Sequence, residues 1–136
     1  MDWLDRQLFP FPIKTFTTTA GDMRYVDIGH GPVILFAHGT PTWSLVWRHA
    51  IAALSRNYRV IAVDHLGFGL SDKPDDADYS LAGHAQRWSA FIDHLLLRDI
   101  TLVVHDFGGP IALNDVQLLV FAAQSVAALA DSRRLC

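Results

Sequence analysis

Residues 103–113, "VVHDFGGPIAL", decide how the rest of the chain is read. Val103 and Val104 close the apolar run "ITLVV" of residues 100–104, which predicts a strand buried on both faces of a sheet. Gly108, Gly109 and Pro110 follow two residues after Asp106. Proline suits the first turn of a helix, and the glycines let that helix pass close to the strand. The order is therefore strand, sharp turn, helix, with Asp106 at the corner and its side chain raised above the sheet. The partial positive charge at the helix start favours an ionised carboxylate there. An aspartate in this place most often caps the helix. It can also act as a nucleophile, and the neighbouring loops weigh between the two.

Two more stretches, the apolar run "VILFA" (33–37) and "YRVIAVD" (58–64), predict buried strands. Between them Trp43, Val46, Trp47, Ala50, Ile51 and Leu54 form one stripe at helical period, starting just after Pro41. Ser80 is placed to cap a second helix whose apolar positions are Leu81, Ala85, Trp88, Ile92 and Leu95. Upstream, "KTFTTTAGDMRYVDIG" (14–29) predicts two strands around the turn Ala20-Gly21-Asp22. Strands alternating with helices imply a parallel sheet, whose ligands bind beyond the carboxyl ends of the strands. Three loops meet at that edge: "HGTP" (38–41), "DHLGFG" (64–69) and "HDFGG" (105–109).

Composition narrows the function classes. With 136 residues, 51% of them apolar and 18% charged, the chain suits one packed domain rather than disorder. A net charge of −3 without a cluster of Lys and Arg argues against nucleic acid or an anionic membrane surface as partner. The single cysteine, Cys136, can form neither an intrachain disulfide nor a thiolate cage, so a reducing, cytoplasmic setting is expected. The start "MDWLDRQLFPFP" lacks the basic and long apolar regions of a secretory signal, and no apolar run reaches membrane-spanning length. His84 and His94, ten apart on one helix, do not make a metal pair, and "GFG" is too short for a phosphate loop. No metal and no cofactor are expected.

Taken together, "HGTPTWSLVWR" (38–48), "DHLGFGLSDKP" (64–74) and "VVHDFGGPIAL" (103–113) closely resemble the haloalkane dehalogenase group of α/β-hydrolases, of which epoxide hydrolases are relatives. "WLDRQLFPF" (3–11) and "YVDIGHGPVILFAHG" (25–39) resemble the same group's N-terminal region, so the likeness runs over about residues 3 to 113. It implies an α/β-hydrolase fold, a mostly parallel sheet with flanking helices. The corner is then the nucleophile elbow, usually G-x-S-x-G and here Val104-His105-Asp106-Phe107-Gly108. On this resemblance Asp106 matches the nucleophile, and the backbone amides of Thr40 and Phe107 match the oxyanion hole. The side chains at those two positions hold the departing halide in dehalogenases, where the family tends to show Trp after the nucleophile and Asn or Glu in the loop. Phe107 has no N–H to donate, and Thr40 has one O–H. His38 reads as a packed, loop-orienting residue, and Trp43 as core. Asp64, Asp72, Gly67 and Gly69 read as structural, and "DDAD" (75–78) as a solvated loop.

A carboxylate is ionised at neutral pH and can displace a leaving group from saturated carbon, forming an alkyl ester on the enzyme. Water activated by a histidine then cleaves that ester. The base and its orienting acid should follow the nucleophile in the chain. No histidine lies beyond His105, and the later acids, Asp115 and Asp131, sit in no motif. Residues 1–113 are therefore expected to be the N-terminal part of a hydrolase domain. The tail 114–136 reads as atypical and helical, on Val116, Leu119, Val120, Ala123, Ala127 and Ala130. A truncation or frameshift near Leu113 is expected, with no cap domain, no strand outside the one at 100–104, and a site open to water. The expected function is that of a haloalkane dehalogenase-type hydrolase acting on a small apolar substrate, halting at the alkyl ester. The alternatives are an epoxide hydrolase and a non-catalytic fragment.

Overall fold

The computed structural model describes residues 2–113 and the backbone of 119–122. Strands β1 (Lys14–Thr18), β2 (Gly21–Ile28), β3 (Val33–Ala37), β4 (Arg59–Val63), β5 (Ile100–Val104) and β6 (Leu119–Ala122) form one sheet in the order β1-β2-β4-β3-β5-β6. β2 runs antiparallel to β1 and β4, whereas β3 pairs parallel with β4 and β5, and β5 pairs parallel with β6.

Burial on both faces explains the unbroken apolar runs. On one face, α2 (Leu81–His94) and α3 (Gly108–Ala112) lay Trp88, Phe91 and Ile111 over Leu35, Ile61 and Leu102. On the other, the 3-10 turn Ser44–Trp47, α1 (Arg48–Leu54) and the N-terminal segment lay Trp47, Ile51 and Phe9 over Phe36, Val60 and Val103. Successive residues of β3 therefore serve opposite cores.

The chain leaves β3 for β4 on one side and later returns to β5 on the other. β3 and β5 thus flank the point where the winding reverses, and their carboxyl ends frame a crevice. Thr40 follows β3 there, and Asp106 follows β5.

Two expectations need correction. The helix read from Trp43 begins later: Ser44–Trp47 is a 3-10 turn, and α1 starts at Arg48. Trp43 is extended (φ −155°), and its ring packs on Phe9 and Trp3 at 5.4 and 5.9 Å. Ser44 N–H meanwhile donates to Asp64 Oδ1 at 2.8 Å. A tertiary carboxylate thus satisfies a donor at the start of this turn. The second correction concerns the tail, where Leu119–Ala122 is a strand rather than helix. It pairs Thr101↔Leu119 through Val104↔Ala122, so β5 has the outer neighbour the reading denied it. Alternating side chains could satisfy either period in so short an apolar run, and the open edge of β5 selects the strand. The rest of 114–136 lies outside the described residues.

The end of α2 carries a local strain. Leu96 N–H donates to Asp93 O at 3.1 Å and Leu97 N–H to Ile92 O at 3.2 Å, the two bonds of a Schellman motif. Leu96 therefore sits in the left-handed region (φ +53°), and its side chain is 76% exposed. Glycine takes this conformation without the Cβ penalty. Leu96→Gly should raise stability by about 0.5–1 kcal/mol. The urea midpoint reads this directly, and an unchanged or lower midpoint would contradict it.

Candidate active site

Asp106 sits at φ +49°, a left-handed corner between β5 and α3. Backbone bonds fix that corner. His105 N–H donates to Ala37 O at 3.2 Å, Gly108 N–H to His105 O at 3.0 Å, and Gly109 N–H to Asp106 O at 3.1 Å. A Cβ on Gly108 would lie 2.3 Å from Ala37 O and 2.6 Å from His38 O, so only glycine lets α3 start this close to β3. Gly109 is different, because its Cβ would meet Val104 Cγ2 at an ordinary 3.8 Å. Strain of this kind persists only when the surroundings over-determine it, and such residues cluster at functional sites.

The Asp106 side chain is exposed, and Thr40 N–H donates to its Oδ2 at 3.1 Å. The Phe107 backbone N–H, and then that of Thr40, hold the carboxyl below the usual carboxylate range. The structure therefore brings Asp106, Thr40 and Phe107 together. Gly39, which the sequence reading passed over, makes room for them: a Cβ there would lie 2.6 Å from Asp106 Cβ. Its only signal in the sequence is its place in "HGTP". Asp106 opens into a cavity of about 640 Å³ whose lining includes Thr40, Phe107, Phe68, Tyr79 and His84.

From the cavity wall inward, three histidine rings follow one another: His84, His65 and His38. His38 and His65 lie 4.4 Å apart, and His65 and His84 5.7 Å apart. His38 Nδ1 lies 2.8 Å from Gly39 O, and His65 N–H donates to His38 Nε2 at 2.9 Å. The proton must then sit on Nδ1, and His38 ties the first loop to the second. Burial pushes it down to about 4, so it is neutral at pH 7. This geometry matches its reading as a packed, loop-orienting residue. Among the described residues no three His, Cys, Asp or Glu side chains converge as a metal cage.

The second loop is braced from inside. Asp64 Oδ1 and Oδ2 accept the N–H groups of Ser44 and Leu70, each at 2.8 Å, while burial raises its carboxyl above the usual range. Asp72 Oδ2 accepts Asp22 N–H at 2.9 Å and fastens the loop to β2. Gly67 and Gly69 both have positive φ. Ser80 Oγ accepts Gly83 N–H at 3.1 Å, the cap expected for α2. His84, weighed in the sequence only as a metal ligand, instead stands at the cavity wall, four residues before the buried Trp88 on α2.

Against known proteins, residues 32–130 match the family model of the alpha/beta hydrolase fold. The chain belongs to that family. The match continues past Leu113, where the sequence reading had ended the likeness, and it spans β6. Haloalkane dehalogenase 2 of Mycobacterium tuberculosis is 44% identical to this α/β-hydrolase over 109 residues, covering 80% of the chain and 38% of the relative. A cis-3-alkyl-4-alkyloxetan-2-one decarboxylase of Xanthomonas campestris is 41% identical over 120 residues, 76% of this chain and 40% of that protein. Among solved structures, epoxide hydrolase VrEH1 of Vigna radiata superposes with a TM-score of 0.69 at 34% identity, covering 76% of this chain and 34% of the other. The chain thus spans about 38% of the length of the curated dehalogenase it matches. No helix among the described residues is long and apolar enough to cross a membrane.

Proposed function

We propose that this α/β-hydrolase uses Asp106 to attack a saturated carbon of a small apolar substrate, in the manner of a haloalkane dehalogenase. The observation that carries the reading is the exposed Asp106 carboxylate, which faces the cavity with Oδ2 on the Thr40 N–H. The oxygen held by the Thr40 amide becomes the ester carbonyl, and Oδ1 forms the new bond to carbon. The carbon–halogen bond breaks, and halide leaves with the electron pair. The amides of Thr40 and Phe107 then face the oxyanion that forms when water attacks the ester. No histidine follows Asp106 within these 136 residues, so the base for ester hydrolysis is not read from them. The lone cysteine supports a cytoplasmic setting for the reaction.

Intact-mass spectrometry after incubation with a 1-bromoalkane tests this reading. The expected product is a single alkyl adduct on Asp106, formed with loss of bromide. Asp106→Asn should abolish it completely, because a neutral amide is a poor nucleophile. An adduct of undiminished yield in Asp106→Asn would sink the assignment. A second reading, opening of a strained cyclic ether or ester, is favoured by Phe107 and Thr40, which lack the halide-holding side chains of dehalogenases. The adduct mass separates the two, since an epoxide adds whole whereas a haloalkane adds without its halogen.

A further inference from the structure

The cavity is poor in free donors. Tyr79 Oη donates to Pro74 O at 2.6 Å, and Lys73 Nζ to Gly69 O and Ser71 O at 2.7 and 3.0 Å. The Thr40 N–H is taken by Asp106 and the Phe107 ring offers none, which leaves the Thr40 O–H and the third proton of Lys73 besides His84. An anion departing into an apolar cavity with so few donors is costly, and each one that reaches it counts.

His84 is arranged to meet that need. Arg87 Nη2 lies 3.3 Å from His84 Nδ1 and donates to Asp78 O at 2.7 Å. A guanidinium only donates, so His84 Nδ1 accepts, and the ring proton belongs on Nε2. Nothing among the described residues accepts from that Nε2–H. The ring stands edge-on to Phe107, with centroids 6.4 Å apart, and lies about the same distance from Phe68 and Tyr79, at 6.1 and 6.0 Å. Burial, then the charge of Arg87, pushes His84 down to about 4, so it donates as a neutral group.

We propose that His84 donates its Nε2–H to the anion that departs from the carbon attacked by Asp106, and so takes the place of the donor Phe107 lacks. This rests on the reading of Asp106 as nucleophile. As the Oδ1–carbon bond forms, the leaving group departs with its electron pair and accepts a hydrogen bond from Nε2. No proton is transferred. The same arrangement makes His84 unfit as the base for ester hydrolysis, because its free nitrogen already carries the proton and the other faces Arg87. The anion is small and singly charged, a halide or a released carboxylate.

Two readouts test this. Nitrogen-15 NMR of the wild-type chain should show His84 as the Nε2–H tautomer, and the Nδ1–H tautomer would overturn the proposal without any variant. The second readout is the ratio of Asp106 alkylation rates with 1-chloro- and 1-iodoalkanes. Chloride needs the donor more, so His84→Phe should lower the ratio tenfold or more. His84→Gln should restore most of it, and Arg87→Met, which frees the tautomer, should lower it in part. A structural role alone would slow both substrates equally, and an unchanged ratio would count against the donor. Should the wild-type chain give no adduct with either halide, the nucleophile reading fails. The donor is then read from chloride-35 line broadening. Broadening displaced by bromide and lost in His84→Phe supports it, whereas equal broadening in both chains overturns it.

Discussion

Gly108→Ala lowers stability by about 3 kcal/mol or more, whereas Gly109→Ala leaves it unchanged or raises it by up to about 1 kcal/mol. The two glycines are adjacent in "FGG", and nothing in the sequence separates them. A Cβ on Gly108 would lie 2.3 Å from Ala37 O and 2.6 Å from His38 O. Those are backbone atoms at the end of β3, the central strand of the sheet, so they cannot swing aside as a side-chain tip would. Relief requires α3 to lift from the strand, which moves Asp106 away from the Thr40 N–H. The Gly109 Cβ would meet Val104 Cγ2 at 3.8 Å and, inside α3, would reduce the freedom of the unfolded chain. Urea unfolding of both variants provides the measurement. Gly108→Ala should also lose alkylation of Asp106, while Gly109→Ala keeps it. Equal midpoints in the two variants would mean that α3 does not start where the structure puts it.

Acidification from pH 6.5 to 4 should remove about 3 kcal/mol of stability through His38 alone. In the unfolded chain this histidine titrates near its ordinary 6.5, whereas burial pushes it to about 4 in the fold. Between those values the unfolded state binds a proton that the folded state refuses, so stability falls as pH falls. Below about 4 both states are protonated, and this contribution levels off. His65, lowered well below 6.5 by burial, and His84, lowered to about 4, add loss of the same sign. Asp64 acts in the opposite direction, since burial raises its carboxyl and the fold gains from its protonation. One carboxylate opposes three histidines, so the net effect is loss. Urea midpoints at pH 7, 5.5 and 4 measure it. A flat profile across that interval in an Asp64→Asn background, where the opposing carboxylate is gone, would show that the histidines are hydrated or charged in the fold.

Much of the fold was legible because burial on both faces writes itself into composition. The runs "VILFA" and "ITLVV" are β3 and β5 to the residue, β4 lies inside "YRVIAVD" with one residue fewer at each end, and Ser80 caps α2 as read. The alternating cores of β3 require apolar residues at every position, a signal that needs no partner to be recognised. Trp43 misled because its apolar character satisfies a helical stripe as well as it satisfies Phe9 and Trp3. Leu119–Ala122 misled for a related reason, since a four-residue apolar run carries no period of its own.

The candidate site divides along the same line. The corner at Asp106 was legible from its chain neighbours, because a strand, a tight turn and a glycine-rich helix start are local features, whereas its reading as a nucleophile needed the other two loops and the resemblance. Its partners were named through loop order and the resemblance, and the fold puts Thr40 N–H 3.1 Å from its Oδ2. Gly39 and His84 were missed as site residues. The need for a bare Cα at 39 exists only because β5 delivers Asp106 beside it, and the proton on His84 Nε2 exists only because Arg87 faces the other nitrogen. By itself the sequence determined which segments are buried strands, where the corner falls, and that a carboxylate occupies it, since these follow from local composition and chain order. Only the tertiary structure decided which of two neighbouring glycines is indispensable, which histidines are neutral and which nitrogen carries the proton. Those properties depend on distances between residues far apart in the chain, and no local pattern encodes them.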